Sequence, residues 1–182
     1  PGGFQPSISL DYNSQVIDSA SSITQASWVG MGWSMETGYV ERNMHGTPNT
    51  FGDDTFSLNL GGVSYSLLAI TEDVDGNPAT TDYHSQQESF LRIRHYRVTT
   101  AWSYGIIDQS YWVVWDKTGG QYWFEDRAIF PHSYSNILDQ ETWRWSLMRV
   151  RSIFGKELTY TYYRELALAP KYAESCSGYR AN

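Results

Sequence analysis

The chain carries a single cysteine, Cys176, in 182 residues, which excludes an internal disulfide framework. Positive charge is scarce: 13 basic residues stand against 20 acidic ones, a net of −7. A general binder of nucleic-acid backbones needs a basic surface, so that class is set aside. No apolar run approaches the roughly 20 residues that a helical membrane span requires. Helical periodicity is missing almost throughout, and so is any Gly-x-Ser-x-Gly nucleophile elbow or any His or Cys pair at zinc spacing. The four histidines, His45, His84, His95 and His132, are scattered and read as surface or hairpin polar positions. No motif calls for a cofactor. The chain opens Pro-Gly-Gly rather than with Met and is expected to be a fragment or a processed product.

What is abundant is aromatic side chain, 16% of residues with 8 Trp and 14 Tyr. Aromatic residues suit pleated, half-buried surfaces, and alternation recurs along the chain. In "FSLNLGGVSYSLLAI" the Gly61-Gly62 loop predicts a tight hairpin, since glycine accepts the positive φ that such turns need. The loop sets Leu60 opposite Val63, Leu58 opposite Tyr65 and Phe56 opposite Leu67, all on one face. A second hairpin, "YWVVWDKTGGQYWFED", folded at residues 117–120, pairs Trp115 with Tyr122, Val113 with Phe124 and Val114 with Trp123. A third, from "WRWSLMRV" and "LTYTYY", pairs Arg149 with Leu158, Leu147 with Tyr160 and Trp145 with Tyr162.

Other stretches fill in the picture. Ile8, Leu10 and Tyr12 alternate as a short strand, and residues 13–27 read as a Ser-rich surface loop. Met31, Trp33 and Met35 fall on one strand face with Gly30 and Gly32 opposite, a sign of another backbone passing close or of a bulge. Residues 43–55 are rich in turn formers. Residues 71–89 are polar and acidic and read as a mobile loop. After it Leu91, Ile93, His95 and Arg97 share a face, while residues 127–142 look irregular. The fold class expected is all-β, with antiparallel hairpins forming a twisted sheet or a sandwich or, as the family resemblance given below implies, part of a shell. One β-rich domain is expected over residues 1–164, with 165–182 an irregular tail or connection.

Three constellations are candidates for chemistry. Glycoside hydrolysis needs two carboxyl groups about 5 to 10 Å apart. Glu36, Glu41, Glu125 and Asp126 sit on or beside predicted strands and are the candidates, with Glu125 set to face Trp112 across the second hairpin; the competing reading is an ordinary solvated strand end. "DVDGN" places Asp73, Asp75 and Asn77 at alternate positions, as a calcium loop begins. Pro78 and His84 then occupy the places where such a loop needs Gly and Glu, so an acidic turn competes. Trp112, Trp115, Tyr122 and Trp123 supply an aromatic face for a glycan or a protein partner, with core packing as the alternative use.

"PGGFQPSISLDYNS" followed by "GMGWSMETGYVERN" resembles the N-terminal region of bacterial RHS/YD-repeat proteins. That region is shared with the SpvB-type portion of insecticidal toxin-complex B subunits. Gly30, Gly32, Trp33, Ser34 and Arg42 hold the matching places. "WVVWDKTGGQYWF" is similar to the family's Asp-x-x-Gly-x-x-Tyr-x-Phe turn, and "WRWSLMRVRSIFGKELTYTYY" resembles its Trp-x-Leu…Asp-x-x-Gly-Asn…Tyr-x-Tyr unit. Ser152 and Lys156 depart from that unit, standing where the family usually has Asp and Asn. The resemblance implies an extracellular or cell-surface, toxin-associated protein whose hairpins build a shell, with other β-segments of the same longer protein as partners. It implies a structural or binding role, and activity seated elsewhere. A carbohydrate-active module, binding or hydrolysing polysaccharide, is the competing expectation.

Overall fold

The computed structural model describes residues 8, 10–21, 29–35, 37–45, 53–70, 80–102, 105–131 and 140–162. Its strands are β1 (Leu10–Tyr12), β2 (Trp33–Met35), β3 (Tyr39–Asn43), β4 (Thr55–Leu60), β5 (Val63–Ala69), β6 (Thr80–Ser85) and β7 (Arg92–Tyr96). They continue as β8 (Thr99–Trp102), β9 (Gly105–Asp108), β10 (Tyr111–Trp115), β11 (Gln121–Pro131), β12 (Gln140–Arg151) and β13 (Glu157–Thr159). A short helix, α1 (Ser14–Asp18), interrupts the predicted Ser-rich loop. Its start is fixed by Asn13, whose side chain accepts the Gln15 N–H at 3.0 Å.

The expectation of an all-β fold built from antiparallel hairpins is met, and the sheet closes on itself. β3, β4, β5, β6, β7, β10, β11 and β12 pair in that order, and β12 returns to β3 to close an eight-stranded barrel. The closing seam pairs Arg144 with Glu41, Trp145 with Val40 and Ser146 with Tyr39. An even number of antiparallel strands lets a simple up-and-down path close without a crossover, and closure removes the sheet edges. β8 and β9 form a hairpin inserted between β7 and β10, β13 adds to β12, and β1 pairs with β2 in a separate small sheet.

Inward-facing residues alternate along the wall and fill the interior. Val40, Leu58, Leu67, Ile93, Trp112, Val114, Phe124, Trp145, Leu147 and Val150 are buried there, with Phe56, Tyr65, Tyr83 and Tyr122 packed against them. An eight-stranded barrel is just wide enough for side chains to fill it. Burying a side chain of this kind contributes about 1.5–3 kcal/mol.

The Gly61-Gly62 hairpin has the predicted register, and both glycines have positive φ, 62° and 77°. The other two hairpins are shifted by one residue. Trp112 pairs with Phe124, Val113 with Trp123, Val114 with Tyr122 and Trp115 with Gln121. In the third, Arg149 pairs with Thr159 and Val150 with Leu158. The reason lies in the turns, which close on the N–H of Asp116 and of Ser152 rather than around the glycines alone.

Three further expectations are corrected. Thr80–Ser85, the second half of the predicted mobile loop, is strand β6. Its Asp82 carboxylate is consumed by a two-point ion pair with Arg94, and Tyr83 packs on the core. The region 127–142 is not irregular where described: β11 and β12 run through it as a long pair whose register shifts at bulges. Those bulges break strict alternation and so hide the strands from a period-2 reading. Met31 and Gly32 form a turn before β2 instead of extending it. The close approach expected at the glycines is real at Gly32, where an added Cβ would sit 3.1 Å from the Asn13 carbonyl oxygen.

Candidate functional site

The outer face of β7, β10, β11 and β12 carries a group of half-buried aromatic side chains. Along one row Asp82, Arg94, Val113, Trp123 and Arg149 lie side by side on successive strands. A neighbouring row runs Arg92, Trp115, Gln121 and Arg151. The Arg149 guanidinium carbon lies 4.2 Å from the Trp123 ring centroid, and that of Arg92 lies 5.1 Å from Trp115. Tyr96 and Tyr111 stack at 4.7 Å with 5° between their planes. Both outward indoles therefore carry a cation on one face, and a sugar ring stacking there must displace it.

Of the four aromatic residues predicted for a binding face, Trp115 and Trp123 are on this wall. Trp112 is fully buried and Tyr122 packs against the same interior cluster. A one-residue change of register turns every β11 side chain to the opposite face, which is why Tyr122 and Trp123 exchange places relative to expectation. Burial first, and then the hydrogen bond to Asp116, push the Tyr122 hydroxyl up to about 12.

Of the candidate carboxylates, Glu41, Glu125 and Asp126 lie among the described residues, Glu41 on β3 at 3.8 Å from Arg144 and the other two adjacent on β11. Glu125 sits at a register irregularity between Phe124 and Asp126, and its carboxylate meets Arg149 at 3.6 Å. The observed register sets it by Tyr111, not Trp112, and the Tyr111 hydroxyl is raised by burial, then by the charges of Tyr96 and Glu125. Asp126 lies opposite Ser146. Glu36, and the weak calcium set Asp73, Asp75 and Asn77, lie outside the described residues. Among the described residues no three His, Cys, Asp or Glu side chains come together to hold a metal.

The polar residue that sequence reasoning misplaced is His95. It points into the barrel, 8% exposed, and lies on Trp112 with ring centroids 4.2 Å apart and 12° between planes. Burial lowers its pKa from 6.5 to about 4, with the Asp108 charge opposing that shift and Arg97 adding to it. The available signal was its place in the row Leu91, Ile93, His95. Nearby, Trp145 donates its indole N–H to the Ser110 carbonyl at 2.9 Å. Elsewhere a groove of about 760 Å³ runs beside β3, β4 and β5, lined by Arg42, His45, Ser57, Ser66, Leu68 and Gln86 among others. Arg42 is held there by Asp54 at 2.6 Å.

No family model matches the chain, and no curated protein matches it. Solved structures do. The chain is similar to the N-terminal domain of effector protein SpvB from Salmonella typhimurium strain LT2. The two share 22% identity at a TM-score of 0.60, over 90% of this chain and 51% of that one. It is also similar to TcdB2-TccC3, with 21% identity and a TM-score of 0.61, over 88% of this chain and 8% of that one. This likeness establishes a shared fold. The chain spans about half of the SpvB domain's length and a small part of TcdB2-TccC3.

Proposed function

We propose that the chain is a non-catalytic structural module of a larger, exported bacterial protein of the RHS/YD and toxin-complex type. The observation that carries this reading is the interior: the barrel's core is packed with side chains, and two of the four aromatic candidates are part of that packing. The ion pairing of Glu125 with Arg149 and the cation-capped faces of Trp115 and Trp123 also favour structure over catalysis. The fold shared with SpvB and TcdB2-TccC3, together with the matching positions Gly30, Gly32, Trp33, Ser34 and Arg42, supports the family assignment. In this reading residues 1–164 form the module and 165–182 connect it onward. Its partners are other β-segments of the same protein, outside the cell or at its surface.

A reducing-sugar assay across polysaccharides, run beside pull-down on cellulose, xylan and chitin, tests it. Neither turnover nor retention is expected. Turnover that is lost in Glu125→Gln would sink the structural reading, and retention lost in Trp123→Ala would replace it with glycan binding.

A further inference from the structure

His95 sits in a cage supplied by four other strands. Trp112 of β10 lies flat against it, Trp145 of β12 meets it edge-on at 5.7 Å, and Phe56 of β4 is 6.0 Å away. From β6 come Thr81, directly opposite in register, and Tyr83, whose ring packs on both Phe56 and Trp112. The charges that act on the imidazole are Asp108, at the end of β9, and Arg97, just past the end of β7. Arg94, its neighbour on β7, is turned outward and tied to Asp82. Nε2 of His95 has no hydrogen-bond partner among the described residues, and neither has Nε1 of Trp112. A neutral imidazole fits such a cage as a flat aromatic ring. An imidazolium would lose its hydration there, and the Asp108 charge offsets only part of that loss.

We propose that His95 is an acid-sensitive latch of the barrel. While neutral it packs as an aromatic side chain among Trp112, Trp145 and Phe56; on protonation it leaves the cage and loosens β7 from β10. The direction of the effect follows from linkage. A histidine whose folded pKa is depressed takes up its proton more readily in the unfolded chain, so stability falls as pH drops. The loss begins near the unfolded value of 6.5 and is complete near the folded value of about 4. That interval corresponds to about a 300-fold fall in the folding equilibrium constant.

The test compares the wild-type protein with His95→Phe in urea unfolding from about pH 7 to about pH 4. Carboxylates titrate in both proteins and cancel in the ratio of their equilibrium constants. The expected ratio moves against wild type by up to about 300-fold across the interval; a ratio that does not change with pH overturns the proposal. Should His95→Phe fail to fold, NMR titration of the His95 ring in the wild-type protein decides. A midpoint near 4 agrees with the latch, and one near 6.5 contradicts it.

Discussion

The turns at residues 116–120 and 152–156 follow the same backbone course with different residues. In each, the first N–H donates to the last carbonyl, at 3.0 Å from Asp116 to Gly120 and 2.8 Å from Ser152 to Lys156. In each, the glycine N–H returns to the first carbonyl, at 3.0 Å for Gly119 and 2.9 Å for Gly155. Both glycines have positive φ, 84° and 75°. The side chains part company. Asp116 Oδ1 accepts from the Thr118 N–H at 2.7 Å, the Thr118 hydroxyl at 2.6 Å and the Gly120 N–H at 3.0 Å. Its Oδ2 accepts the Tyr122 hydroxyl at 3.0 Å. Ser152 Oγ accepts the Lys156 N–H at 3.1 Å. A glycine at positive φ and the strand ladder are thus enough to shape this turn. The carboxylate adds firmness and a dependence on pH, and it gives the Asp-x-x-Gly-x-x-Tyr spacing a physical reason: the tyrosine hydroxyl reaches back to the aspartate.

Removing the two acceptors should separate the turns most. Asp116→Ala is expected to cost about 2–3 kcal/mol and Ser152→Ala about 0.5 kcal/mol in urea unfolding at neutral pH. Burial alone would raise the Asp116 carboxyl, but the hydrogen bonds from Thr118, Tyr122 and the backbone outweigh it and hold its pKa below 3.8. A depressed carboxylate stabilises fully above the unfolded value and is lost as pH falls through the folded one. The cost of Asp116→Ala should therefore shrink below about pH 4, whereas that of Ser152→Ala should not. Equal costs for the two variants would erase the distinction drawn between the turns.

A smaller difference should appear at the glycines. A Cβ at Gly119 would lie 2.7 Å from Ile153 Cγ2, whereas nothing lies within 4 Å of one at Gly155. Both substitutions force alanine into the left-handed region, at roughly 1 kcal/mol each. Gly119→Ala should cost about 1 kcal/mol more, because the two turns touch there and Ile153 must shift. Thermal unfolding of both variants measures it, and a larger loss at Gly155 would contradict the contact between turns.

The hairpins were legible where chain-local chemistry set them. Gly61-Gly62 leaves no freedom of loop length, so its register could be read directly. At Asp116 and Ser152 the glycines marked the turn, but the closing residue was set by a hydrogen bond of the preceding polar side chain's own backbone, and counting from the glycines slipped by one. β6 was hidden because Asp82 reads as loop chemistry until Arg94 is found beside it on the next strand. Closure was not legible at all, since it pairs residues 39–41 with residues 144–146. The same limit governs the site: Trp115 and Trp123 were placed on a surface, while Trp112, Tyr122 and His95 went to an interior that only closure creates.

Closure is the claim on which the filled core, the His95 cage and the structural role all depend. Amide hydrogen exchange at the β3–β12 seam tests it most directly. The Leu147 N–H donates to the Gly38 carbonyl at 2.9 Å, and the paired residues 39–41 and 144–146 lie beside it. A closed barrel predicts protection there comparable to that of the β4–β5 ladder. Exchange at the seam as rapid as at an exposed sheet edge, with β4–β5 still protected, would show that the barrel is open.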